Sequence, residues 1–134
     1  MRWPDVVLAI IAEVEADAVL SALFPDGVHR AEDRNFVVPS LVWSLISDVE
    51  DENFNPLRIQ FDVFTRTDTE QAAAEAALRR LLHRDTPTVI GGVPMWSQYA
   101  SRTNLGGLRD GIRGSASDFI FTPIRTRYVR DASS

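Results

Sequence analysis

The sequence predicts an α/β (α+β) fold, a mixed, mostly antiparallel sheet with two main helices packed on one face. Three observations predict it. Leu57, Ile59, Phe61 and Val63 alternate with Arg58, Gln60 and Asp62, the period of a strand buried on one side. Thr67-Asp68-Thr69-Glu70 is a capping box ahead of an alanine-rich stretch. Val7, Ile10, Ile11 and Val14 recur at helical spacing near the start of the chain. The 134 residues fit a single domain, 1–134, large enough to bury a core without staples.

The elements follow in order. Pro4 suits a first helical turn, where its missing N–H costs nothing. Asp17 is placed to cap a second short helix carrying Val19, Leu20, Leu23 and Phe24, and Pro25-Asp26-Gly27 ends it. Residues 4–24 therefore read as one bent helix or two consecutive ones. A short strand is expected at 28–32. Leu41 to Val49 is rich in strand formers on both parities, so that strand is expected to be covered on both sides, at least in part. With the strand at 57–63 it forms an antiparallel hairpin across a polar loop. The helix behind Thr67 runs to about His83, with Ala73, Ala74, Ala77, Leu78, Leu81 and Leu82 on its apolar face and Arg79, Arg80 and Arg84 at its C-terminal end. Residues 86–99 read as a strand pair or a bulged strand, interrupted by Gly91-Gly92 and Pro94. Residues 101–117 read as a long glycine- and arginine-bearing loop, of a length usually functional or disordered. A final strand is expected at 118–130, at an edge or bulged because of Pro123.

Composition closes several classes of chemistry. There is no cysteine, hence no disulfide, thiolate metal site or thiol nucleophile. No apolar run reaches the length of a membrane span. The first residues, Met1-Arg2-Trp3-Pro4-Asp5, read as the start of a folded domain rather than a signal peptide. All 14 basic residues are arginine. Residues 1–70 carry 14 acidic and 5 basic side chains, a net of -9, and residues 71–134 carry 5 and 9, a net of +4. Such asymmetry suits two solvated faces, or head-to-tail self-association of complementary patches. It disfavours general nucleic-acid binding, which needs a basic footprint.

No catalytic signature emerges. Asp48, Glu50, Asp51 and Glu52 match a calcium loop in charge only, lacking its glycine and distal glutamate, and read as a solvated hairpin tip. His29 and His83 have no partner at metal spacing. Gly106 to Gly114 lacks the Lys-Ser/Thr pair of a phosphate loop, and Ser115 and Ser117 sit in no GxSxG elbow. Arg125 and Arg127 share one face of the last strand, a charged edge against wrong pairing rather than an anion site. Trp43 reads as core, while Trp3 and Trp96 flank regular elements and are candidate interface anchors. Arg102, Arg109 and Arg113, with the acidic tip as counterpart, complete the set of candidate interface residues. No cofactor or metal is expected.

The stretch "VVPSLVWSLISDVED", followed by "LRIQFDVFTRTDTEQAAAEAALRRLL", resembles the tail terminator (tail completion) proteins of long-tailed phages. The strand led by Pro39, the strand from Arg58 to Phe64, the turn at Thr65 to Thr69 and the helix from Glu70 to Leu82 carry the resemblance, and "DFIFTPIRTRYV" fits the family's last strand. It covers residues 4–84 and, more loosely, the end, while 86–117 has no counterpart. The resemblance implies a virion protein without an active site. It implies a ring, commonly of six subunits, on the head-proximal end of the tail tube, ending polymerisation and joining the head connector. Its implied partners are further copies, the tube protein and the connector, with genomic DNA passing through the lumen unbound. A small ligand-binding or enzymatic domain using the 101–117 loop, or another neck or minor tail protein, is the alternative.

Overall fold

The computed structural model describes residues 3–31, 37–46, 56–105 and 111–124. Helix α1 (Trp3–Ala16) is followed by α2 (Ala18–Leu23), so the N-terminal segment is two helices rather than one bent one. Asp17 separates them and caps α2, its carboxylate accepting from the N–H groups of Val19 and Leu20 at 3.1 Å each. Strands β1 (Val28–Arg30), β2 (Ser40–Leu45) and β3 (Leu57–Thr65) come next, then α3 (Asp68–Leu82), β4 (Thr88–Ile90), β5 (Val93–Asn104) and β6 (Arg113–Pro123).

The six strands form one sheet in the order β1-β2-β3-β6-β5-β4. Only β1 joins in parallel, and every other pairing is antiparallel. Alternation along β3 is complete: Leu57, Ile59, Phe61, Val63 and Thr65 are buried and the residues between them are not. In β6 Phe119 and Phe121 stand opposite Ile59 and Leu57, so both strands feed the same face. Onto that face pack Val6, Val7, Ile10, Ile11 and Val14 of α1, Leu20 of α2 and Ala74, Ala77, Leu78 and Leu82 of α3, in a single core. Phe61 and Phe119 meet edge to face at 6.0 Å, and Tyr99 meets Phe119 at 5.6 Å. Helix α1 touches β1 and β4, the two edges of the sheet, which therefore curls around the helical layer.

The region expected as a long loop is different. Strand β5 runs to Asn104 and β6 begins at Arg113, with Arg102 opposite Ser117 and Asn104 opposite Ser115. Residues 101–104 and 113–117 are paired strand, and the final strand starts five residues earlier than its aromatics imply. The strand signal is masked because Gly114, Ser115, Ala116 and Ser117 are all buried, yet none is a strong strand former. Pro123 is not on an edge strand: β6 is central, and Pro123 is its last residue, beyond the end of the pairing with β3 at Phe121. No helix among the described residues is long and apolar enough to cross a membrane.

Candidate assembly interface

Thr67 caps α3 through the Glu70 N–H at 3.1 Å, as the capping box requires, and so fixes where the helix starts over the sheet. That placement brings Gln71 and Glu75, one turn apart, against the β5–β6 hairpin. The Gln71 amide donates to the Val63 carbonyl at 3.1 Å and the Ser115 hydroxyl at 2.7 Å, and it accepts from Thr65 Oγ1 at 2.7 Å. Ser115 in turn donates to Glu75 at 2.5 Å. Arg102 grips Glu75 with two nitrogens, at 2.8 and 3.0 Å. Burial raises the Glu75 carboxyl, but Arg102, Ser115 and Gln71 outweigh it and hold the group below the usual carboxylate range.

Of the candidate interface arginines, Arg102 is thus committed to α3, and Arg113 is too, through Asp68 at 2.6 Å. Both tie the hairpin to the helix within one subunit. Trp96 lies on the face of β5 away from the helices and is 38% exposed. The backbone of Trp3 opens α1. Arg109, Arg125 and Arg127 lie outside the described residues, as do Asp48, Glu50, Asp51 and Glu52. Trp43, expected in the core, is partly buried against it, with the Arg30 guanidinium 5.5 Å from its ring centre. His83 caps α3 and accepts the Tyr99 N–H through Nδ1 at 3.0 Å. Among the described residues no group of three His, Asp or Glu side chains is placed to hold a metal.

The sheet face turned away from the helices carries a polar row. Arg58 donates twice to Asp118, at 2.8 and 3.1 Å, and Gln60 donates to Asp62 at 2.8 Å. Asp62 is pushed up from its ordinary value, first by burial and then by the nearby Asp118 charge, against the Gln60 hydrogen bond. Sequence reasoning missed the Gln71 network entirely. The one available signal was a glutamine on the inward stripe of an otherwise apolar helix face.

The sequence matches no family model and no curated protein. Its fold, however, has a solved counterpart. A chain of the virion of a native gene transfer agent particle aligns with a TM-score of 0.63 at 18% identity, over 87% of this chain and 92% of that one. The fold is one found in a virion. The Dit protein of phage SPP1, described as a paradigm of the hub adsorption apparatus in phages infecting Gram-positive bacteria, aligns over 66% of this chain and 42% of its own, at 17% identity and a TM-score of 0.33. That partial likeness carries nothing about function.

Proposed function

We propose that the chain is a structural subunit of a phage-type tail, and that its copies form a ring on the head-proximal end of the tail tube. The ring ends tube polymerisation and joins the tail to the head connector. The observation that carries this reading is the fold shared, over nearly the full length of both chains, with a protein of a gene transfer agent virion. The resemblance of residues 4–84 to tail terminators narrows it to the end of the tube. Its partners are other copies of itself, the tube protein and the connector, with DNA passing through the lumen. The role is structural, and its place is the virion.

Electron microscopy of the purified protein, with light scattering, tests the reading. Rings of uniform size are expected, and tube subunits polymerised in their presence should stop at shorter lengths. A chain that stays monomeric alone and with tube subunits would overturn it.

A further inference from the structure

Four of the described arginines, Arg58, Arg80, Arg102 and Arg113, pair with carboxylates of the same chain. Arg79 and Arg84 make no such pair with the described residues. The Arg79 guanidinium lies 4.5 Å from the centre of the Tyr99 ring, and Arg84 Nε donates to the Leu81 carbonyl at 2.8 Å. Both are exposed where α3 runs out along the edge of β5. There the Arg84 N–H bonds the Ser97 carbonyl at 2.9 Å. This edge therefore presents two cations with no acidic partner among the described residues.

Helix α1 presents the opposite. Asp5 and Glu13 are exposed and make no ion pair with the described residues. Between them on the outward side of the helix lie Leu8, 63% exposed, and Ala12. Each surface has what the other lacks, and both belong to one chain.

We infer that α1 of one copy docks on the α3–β5 edge of the next, with Asp5 and Glu13 facing Arg79 and Arg84. The two patches differ, so the contact is heterologous, the kind that closes into a ring when its rotation allows. Opposite charges across it set register and partner choice. The inference rests on the ring reading and names the surfaces that would build the ring.

Charge exchange in the full-length chain, read by sedimentation, tests it. D5R/E13R and R79E/R84E should each remain monomeric at a concentration where the unaltered chain assembles, with unchanged circular dichroism. Mixed in equal amounts they should assemble again, since each then supplies the sign the other needs at both contacts. A chain with all four substitutions should assemble alone. If D5R unsettles the first turn of α1, where a carboxylate favours the helix dipole, the same exchange is run with E13R and R84E alone. Assembly of either double variant as well as the unaltered chain overturns the interface and leaves the ring reading standing. So does failure of both the mixture and the fourfold variant to recover while they stay folded. An unaltered chain that never assembles overturns the ring reading, and the interface falls with it.

Discussion

At Ser117 a hydroxyl is buried beside Phe61 with no hydrogen-bond partner among the described residues. Such a group keeps its desolvation cost, so Ser117→Ala should raise stability by about 1 kcal/mol in urea unfolding. Gln71 is the reverse case, an amide whose donors and acceptor are all used. Gln71→Leu strands the groups around it and should cost about 1–3 kcal/mol. Two carboxylates predict opposite responses to pH. Glu75 is held below its ordinary value of 4.5. A folded-state pKa below the unfolded one contributes stability above the unfolded value, and that stability is lost as pH falls through the folded one. Glu75→Gln should therefore flatten the acid-induced fall in melting temperature below that value. Asp62 is raised, so its ionised form is disfavoured in the folded state. Its cost is present above the folded pKa and absent below the unfolded one. Asp62→Asn, which keeps an acceptor for Gln60, should raise the melting temperature at neutral pH and leave it unchanged in strong acid.

The elements are held in place at their ends. Thr67→Ala should cost about 1 kcal/mol by freeing the Glu70 N–H at the start of α3. The larger effect is expected at the β4–β5 turn, where Gly91 has φ +59 and a Cβ built there would lie 2.8 Å from Ala9 Cβ of α1. Gly91→Ala meets both a left-handed backbone, costing about 1–2 kcal/mol, and a clash with the helix. Adding Ala9→Gly relieves only the clash. The double variant should recover part of the loss in chemical denaturation, and no recovery would mean that the contact is not a constraint. This turn is what lets α1 lie close over the β4 edge.

Across the whole molecule, one sheet face is sealed by three helices and the other carries Arg58, Gln60, Asp62, Asp118 and Trp96. The only described arginine on the central part of that outer face, Arg58, is neutralised by Asp118. If the ring reading holds, DNA must pass without sticking, and each uncompensated arginine on the channel wall would add salt-dependent affinity. Acidic side chains should therefore outnumber arginines there, and purified rings should not retain duplex DNA at about 150 mM salt, where charges act over about 8 Å. Tight retention in a filter-binding assay would contradict this.

Local signals were enough for much of the fold. The alternation of β3, the cap and alanines of α3, the cap at Asp17 and the Gly91-Gly92 break each depend on neighbours within a few residues, while the choice between one bent N-terminal helix and two was left to the fold. Composition likewise leaves the chain without a thiol and divides its charge between the two halves. The rest depends on contacts between segments far apart in the chain. The hairpin of β5 and β6 was hidden because its small and polar residues are buried by partners distant in sequence: Ser115 by Gln71 and Glu75, Ser117 by Phe61. The destinations of Arg102 and Arg113 were hidden for the same reason, since an arginine's partner is chosen by which carboxylate the fold brings within reach. Composition counts charges, and packing decides which are spent inside the subunit, as those of Arg102 and Arg113 are.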